Sequence, residues 1–371
     1  MRIRRARLDE LEFSLVEPFE TSFGVERRRR FLLLTLESET GEEGFAECVA
    51  SRDPAYSSET TETARWMLSR YLLPFVLTAR TIDARRFALA ADRWRGHRMA
   101  KAVVEMALAD LEAKRRSLPL YRWLGGRRTR VEVGVSVGIQ PDPRTLVRRV
   151  GEYLSAGYRR VKLKVRPGWD ATPLARVRKE YPDLRLWVDA NQAYPPTARS
   201  RIVRWATAHN VEQVEQPFPE RALHAHAALV ATAKFRVCLD ESIVDTTSLT
   251  EAIELRALTS LNVKPGRVAG LHAARTLQAQ AARAHIPAWV GGMLETGVGR
   301  AHGIHLATLP NFRLPGDLSA SDRYYADELI DRPFVLGSDS TLEVPRGPGI
   351  GVDVDARSRR RHLVRSRSFG Q

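Results

Sequence analysis

Five ionisable side chains recur at a nearly fixed interval in the middle of this sequence. They are Lys164, Asp189, Glu215, Asp240 and Lys264, and the intervals between them are 25, 26, 25 and 24 residues. Each sits at or near the end of a short apolar or alternating run, such as Leu184–Asp189 or Val211–Glu215, and a helix-like stretch follows each run. Three carboxylates with no His or Cys at the same positions make an oxygen-only ligand set. Such a set selects a hard cation, Mg²⁺ or Mn²⁺, over zinc. Adjacent strands lie about 4.8 Å apart, so strand-end acids on successive strands can meet around one ion. A single acid of this kind is ordinarily a helix cap or the partner of a surface arginine. Three in a row are poorly explained that way. A lysine buried beside a metal and other cations has a lowered pKa and serves as a base near neutral pH. Lys162 points to the same side of its strand as Lys164 and is expected to depress its pKa. Arg267, three residues after Lys264, is expected to act likewise there. A divalent ion with a base on either side suits removal of the proton α to a carboxylate.

The elements that must position these groups are short strands alternating with helical patterns, which read as βα units and a parallel sheet. Repetition of the unit favours a (β/α) barrel, with the charges converging at the C-terminal ends of its strands. Strands are expected at Val131–Gly138, Arg160–Val165, Leu184–Asp189, Val211–Glu215, Arg236–Asp240, Ser260–Lys264 and Ile286–Val290. A weak eighth strand near Phe312–Leu314 closes the ring. Residues 1–125 differ: strands Ile3–Val16, Phe31–Glu37 and Phe45–Val49 precede helices Ser58–Tyr71, Arg85–Trp94 and Ala100–Arg116, with Ser57 or Ser58 as the first N-cap. The expected organisation is therefore an α+β domain over residues 1–125, a barrel over 126–320 and a segment 321–356 that packs back on the first domain. A basic tail over 357–371 reads as disordered.

Hydrophobic content is 43% and charged content 28% of 371 residues, ordinary for a globular protein of two domains. Two cysteines, Cys48 and Cys238, make no disulfide framework, so a reducing, cytoplasmic setting is expected. Met1-Arg2-Ile3-Arg4-Arg5 leads into no apolar h-region, and no apolar run reaches membrane-spanning length. The net charge of +15, with a sequence pI near 10.3, raises the question of nucleic acid. The arginines are spread along the chain, dense only at Arg27–Arg30 and from Arg357 to Arg367, with no nucleic-acid-binding motif. A solvated basic surface that helps attract an anionic substrate is the better reading.

The motifs Lys162-Leu163-Lys164, Asp189-Ala190-Asn191, Glu215-Gln216-Pro217, Asp240-Glu241-Ser242 and Lys264-Pro265-Gly266-Arg267 resemble the enolase superfamily, muconate-lactonizing subgroup. Within it, Pro18–Gly24, Gly44–Ala50, Gly291–Gly297 and Pro315–Asp322 resemble the o-succinylbenzoate synthase / N-acylamino acid racemase family. The resemblance implies a modified TIM barrel, (β/α)7β, under an α+β capping domain built from both ends of the chain, and a homo-oligomer. It implies Asp189, Glu215 and Asp240 as Mg²⁺ ligands and Lys164 and Lys264 as the catalytic pair. The implied reaction is syn dehydration of 2-succinyl-6-hydroxy-2,4-cyclohexadiene-1-carboxylate to o-succinylbenzoate, in menaquinone synthesis. The alternative is racemisation of an N-succinyl or other N-acyl amino acid. Dipeptide epimerisation fits less well, because that family usually carries Asp-x-Asp where this chain has Gly316-Asp317-Leu318-Ser319. Phe19, Ser22 and Phe23 lie on a loop placed to close over the mouth as a lid, or on an ordinary hairpin. Ser136 and Gly291-Gly292-Met293 offer a hydroxyl and backbone N–H groups to the substrate. The competing reading is a hydroxyl satisfied inside the barrel and glycines that simply form turns. Asn191 reads as support for the metal site. The nine histidines are assigned no catalysis.

Overall fold

The structure is a computed structural model that describes residues 1–370. Its first unit opens with β1 (Ile3–Glu20), β2 (Val25–Ser38) and β3 (Glu43–Cys48), an antiparallel meander. Phe31 to Leu36 of β2 are buried on both faces, because helices cover one side of this sheet and the rest of the molecule the other. Then come α1 (Thr61–Met67), a π-helical turn (Leu68–Leu72), α2 (Leu73–Thr78), α3 (Ala84–Ala91), α4 (Arg98–Arg115) and α5 (Leu120–Leu124). The α1 N-cap is Thr60, not Ser57 or Ser58: its side chain accepts from Thr63 N, and Thr63 returns the bond as a capping box. α4 is buried on nearly every side, which marks a helix enclosed between layers rather than one lying on a surface.

Two buried acids on α4 join the units. Glu105 accepts the N–H groups of Leu271 (2.7 Å) and His272 (3.0 Å). Asp110 accepts from Phe45 N and Ile350 N, both at 2.8 Å, and from Lys114 Nζ at 2.9 Å.

After β4 (Arg130–Glu132), which lies outside the barrel sheet, the barrel strands are β5 (Val135–Val137), β6 (Arg160–Lys164), β7 (Arg185–Asp189), β8 (Gln213–Glu215), β9 (Arg236–Leu239), β10 (Ser260–Val263) and β11 (Ala288–Val290). From β5 to β11 they form one parallel sheet in sequence order. The intervening helices are α6 (Pro143–Ser155), α7 (Ala171–Glu180), α8 (Arg199–Ala208), α9 (Leu223–Val230), α10 (Thr246–Glu254) and α11 (Leu271–Arg283), with α12 (Gly297–Leu306) after β11. Residues 311–317 close the ring. Ala288 N donates to Asn311 O, Asp317 N to Val290 O, Gly316 N to Glu132 O and Gly134 N to Gly316 O. The fold is thus a modified TIM barrel with a separate antiparallel capping sheet.

Alternation along the strands sorts the side chains. Val161, Leu163, Leu186, Val188, Val214, Val237, Leu239, Leu261 and Val263 turn outward into the main core. Lys162, Trp187, Gln213, Cys238 and Asn262 turn inward. The barrel floor is therefore a small core of its own, Trp187, Cys238 and Trp289, with the two indoles 5.5 Å apart and edge-to-face. The Arg160 guanidinium lies 4.5 Å over Trp187, and Lys162 Nζ 4.6 Å over Trp289.

After the barrel, β12 (Thr341–Glu343) pairs with β4, while Tyr324 O accepts from Val16 N of the cap. The segment 321–356 thus touches both units. The tail departs from expectation. Residues 356–361 form α13 (Ala356–Arg361), and Leu363–Gly370 form β13, which pairs antiparallel with β1 and completes the cap sheet in the order β13-β1-β2-β3. Composition alone predicts disorder there. What orders the arginines is a row of buried acids on β1: Arg359 pairs with Asp9 and Arg365 with Glu10, each at 2.5 Å. Gln371, the last residue of the expected tail, lies outside the described residues. No helix among the described residues is long and apolar enough to cross a membrane.

His305 on α12 ties the two units to the C-terminal segment. Its Nδ1 accepts from Tyr121 N (3.1 Å) and its Nε2 lies 3.0 Å from Ile350 O. Burial pushes this imidazole down to about 3. Between about pH 3 and the ordinary value of 6.5 only the unfolded chain takes up its proton, so stability falls as pH drops through that window. His305→Gln keeps a donor and an acceptor without the titration. From pH 6.5 to 4, wild type is expected to lose about 1.4 kcal/mol per pH unit relative to this variant, as read from denaturant unfolding. Parallel curves for the two proteins would refute this.

Candidate active site

The five charges converge as the barrel requires. Lys164, Asp189 and Glu215 are in register at the C-terminal ends of β6, β7 and β8, with Asp240 and Lys264 just past β9 and β10. All but Lys164 are buried below a tenth of their surface, and the Lys164 side chain is only 10% exposed.

They meet as ion pairs. Lys164 Nζ lies 2.7 Å from Asp189 Oδ2 and 2.7 Å from Asn191 Oδ1. Lys264 Nζ lies 2.6 Å from Asp240 Oδ2 and 3.1 Å from the Tyr56 hydroxyl, which itself donates to Asp240 Oδ2 at 3.2 Å. Lys162 Nζ is held by Glu215 Oε2 (2.5 Å), Asp317 Oδ2 (2.6 Å) and Asp189 Oδ2 (3.3 Å). Asn262 Nδ2 donates to Glu215 Oε1 at 2.6 Å.

These contacts correct two expectations about charge. For Lys162 and Lys264, burial works against the ammonium, but the surrounding carboxylates outweigh it. Asp317, Glu215 and Asp189 hold Lys162 well above the ordinary lysine range, and Asp240 leads the groups that do so for Lys264. A lowered pKa is therefore not the condition of Lys264 in this arrangement. Nor does Arg267 oppose Lys264. Its guanidinium is spent on Asp240, with Nη2 2.9 Å from Oδ1 and bonded to the backbone carbonyl.

The acids carry a complementary signal. Burial, reinforced by Asp189, pushes Glu215 up to about 7, and burial with Asp240 and Asp189 pushes Glu241 up to about 8. Asp240 is held low, since Lys264 and Arg267 overcome its burial. Among the described residues no three His, Cys, Asp or Glu groups are clustered tightly enough to enclose a metal as they stand. The lysine ammoniums occupy the space between the acids. The donor set nevertheless fits a hard divalent cation. It is all oxygen, and one oxygen beside it, Glu241 Oε2, is buried without any hydrogen-bond donor. Glu241 is raised by its burial and by the neighbouring carboxylates Asp240 and Asp189. Asp189, Glu215 and Asp240 are the residues that could hold such an ion.

The supporting residues divide as follows. Asn191 joins Lys164 to Glu241, since its Nδ2 donates to Glu241 Oε1 at 3.0 Å. Ser136 Oγ donates to Asp317 Oδ2 at 3.1 Å and lines the cavity above the site. Gly291 and Gly292 are close-approach residues rather than turn formers. A Cβ on Gly291 would stand 2.2 Å from Asn262 Oδ1, and one on Gly292 2.6 Å from Asp317 O. Met293 and Leu294 continue the wall of a cavity of about 260 Å³ that also takes in Phe19 and Phe23. The hairpin tip joining β1 to β2 rests on the mouth, with Ser22 Oγ 3.1 Å from Ala190 O and 3.3 Å from Asn191 O. Around the acids, Asn191, Gln192 and Gln216 have left-handed backbones, with φ of 42°, 68° and 36°.

Three contributors escape the sequence reading. Asp317 bridges Lys162 and Arg160, the latter at 2.7 Å, and the same strand-end logic that picks out Asp240 would have found it. Glu241 is the immediate neighbour of a chosen ligand. Tyr56 comes from the cap loop after β3, where nothing in the local pattern announces a contact with a barrel lysine.

The chain matches known families along most of its length. Residues 6–125 match the family described as Mandelate racemase / muconate lactonizing enzyme, N-terminal domain, and residues 145–358 the family Enolase C-terminal domain-like. It is 43% identical to an N-succinylamino acid racemase of Amycolatopsis and 44% identical to one of Thermus thermophilus, each over 95% of both chains. It is 39% identical to an o-succinylbenzoate synthase of Geobacillus kaustophilus over 98% of this chain and 96% of that one. Among solved structures, an enolase-superfamily protein of Listeria innocua superposes with a TM-score of 0.94 at 34% identity, covering 100% of this chain and 99% of that one.

Proposed function

From the premise that this chain belongs to the mandelate racemase / muconate lactonizing enzyme family of the enolase superfamily, we propose that it is an Mg²⁺-dependent o-succinylbenzoate synthase. The observation that carries the reading is the placement of Lys164 at the end of β6 and Lys264 just past β10, on either side of three acids at the ends of β7, β8 and β9, with both lysines facing one cavity. When bound by Asp189, Glu215 and Asp240, a divalent cation neutralises the substrate carboxylate and the charge that develops on it.

The chain's own groups do the rest. Lys164, at the mouth end of β6, takes the proton α to the carboxylate. The Lys264 ammonium, held in place by Asp240 and Tyr56, faces the resulting anion and stabilises it. Lys164, now protonated, delivers that proton to the departing hydroxide, so water leaves from the face that lost the proton. Lys162 stays charged beneath the site and keeps Glu215, Asp189 and Asp317 from repelling one another. The hairpin tip limits water at the mouth.

Racemisation of an N-succinylamino acid is the second reading. It is favoured by relatives of that name at 43% and 44% identity and by the presence of a lysine on each side. There the two lysines exchange roles, one removing the proton as an amine and the other returning one as an ammonium. Both substrates should be assayed with purified protein and Mg²⁺, by absorbance for the dehydration and by optical rotation for the racemisation. Turnover of the cyclohexadiene substrate is the expected result. Turnover of the N-succinylamino acid alone would select the second reading, and turnover of neither would end both.

A further inference from the structure

We propose that Arg29 is the cationic far end of the substrate cavity and receives the distal carboxylate of an acyl chain that ends in an acid. This assigns the cavity to dicarboxylates and rests on the proposed function for the first carboxylate only. Arg29 belongs to the Arg27–Arg30 run on β2. Arg28 and Arg30 turn to Glu12 and Glu10. Arg29 turns the other way, into the interior, and is 2% exposed.

There its guanidinium has only neutral partners. Nη1 donates to Ser51 Oγ at 2.8 Å, Nη2 to Val49 O, and the buried Nε to nothing. Among the described residues it forms no ion pair with a carboxylate. A buried cation without a counter-charge is costly. Glu47, a buried acid on which Arg29 acts electrostatically, is committed to Thr296, accepting from its N at 3.1 Å and its Oγ1 at 2.7 Å. Burial also pushes that carboxyl up to about 8, so at neutral pH it supplies little compensating charge.

Arg29 and Ser51 line the same cavity as Lys162, Lys164 and Lys264. Each of those lysines has a carboxylate within hydrogen-bond distance, which leaves Arg29 as the cavity's cation without one. Phe19, Phe23, Met293 and Leu294 give the cavity apolar wall. A ligand with an acid at each end and methylene groups between them matches this lining. Glu26 and Asp53 also line the cavity, half-buried and exposed respectively, so they stand nearer to solvent than Arg29 does.

The test compares two ligands that differ only at the far end, N-succinylglycine and N-butanoylglycine, by their effect on the melting temperature of the Mg²⁺-loaded full chain. The corresponding phenylalanine derivatives are compared by kcat/KM. Wild type should favour the succinyl member of each pair by roughly 10- to 100-fold, as expected for a charge-assisted bond to a buried group. Arg29→Met should erase the preference while leaving the butanoyl ligand bound, and Arg29→Lys should restore part of it. Should Arg29→Met fail to fold, Ser51→Ala is expected to weaken the preference by about threefold without altering butanoyl binding. No preference in wild type, or equal losses for both acyl types in the variants, would overturn the proposal. Selective binding of N-succinylglycine by a protein that turns over neither the cyclohexadiene substrate nor a chiral N-succinylamino acid would instead support the Arg29 subsite and reject the proposed function.

Discussion

Lys164→Ala is expected to lower kcat for dehydration by about 10⁴ while leaving the melting temperature nearly unchanged. The argument is one of position and exposure. Lys164 sits at the mouth end of β6 with its side chain 10% exposed, and its ammonium contacts Asp189 and the Asn191 side chain, both polar. Its removal therefore deletes the base without opening a cavity in the apolar interior. Lys264 differs. It is buried against Asp240 and Tyr56, and Lys264→Ala leaves Asp240 with Arg267 as its remaining ion-pair partner. For an N-succinylamino acid in D₂O, the two variants should separate the faces of the site. Each should retain α-proton exchange for one enantiomer only, as read by proton NMR. Exchange of both enantiomers by Lys164→Ala would show that another group is the base.

Chelation should be as severe. Dialysis against EDTA is expected to reduce activity to background, and Mg²⁺ or Mn²⁺ to restore it. A second readout needs no substrate: at an ion concentration about 100 times the dissociation constant, binding should stabilise the fold by about 2.7 kcal/mol. Glu215→Gln should remove most of this stabilisation. Glu215 is the acid that burial and Asp189 push up to about 7, so it gains most from an added positive charge. An unfolding transition indifferent to Mg²⁺ in wild type would contradict the assignment of Asp189, Glu215 and Asp240.

The part of this site that the sequence reveals is the part written by strand periodicity. Inward residues alternate with outward ones, so Lys162, Lys164, Asp189 and Glu215 can be placed on one face and at one end from their runs alone. Groups delivered by the cap have no such period. Tyr56 lies in a loop, and its contact with Lys264 spans 208 positions. Arg29 sits in a run of four arginines whose members only the β1–β2 pairing sorts into inward and outward. The tail illustrates the same limit. Leu363-Val364-Arg365-Ser366-Arg367 reads as a solvated basic end until Asp9 and Glu10 of β1, more than 350 positions away, are set beside it. Protonation is harder still to read. Adjacent cations suggest a depressed lysine, whereas the carboxylates that fold in around Lys162 and Lys264 reverse the sign.

The left-handed backbones at Asn191, Gln192 and Gln216 also bear on how this protein should be engineered. A non-glycine residue in that region costs roughly 1–2 kcal/mol. A search for thermostable variants by glycine substitution would therefore include these positions. Gln216 shows why such gains mislead. Its Oε1 accepts the N–H groups of Asp240 and Ser242, and its Nε2 donates to Ser242 Oγ. A glycine there would relax the chain and release the strand end that carries Asp240. Gains in heat tolerance are better sought at left-handed positions away from the acids, such as Arg256 and His285 just past α10 and α11.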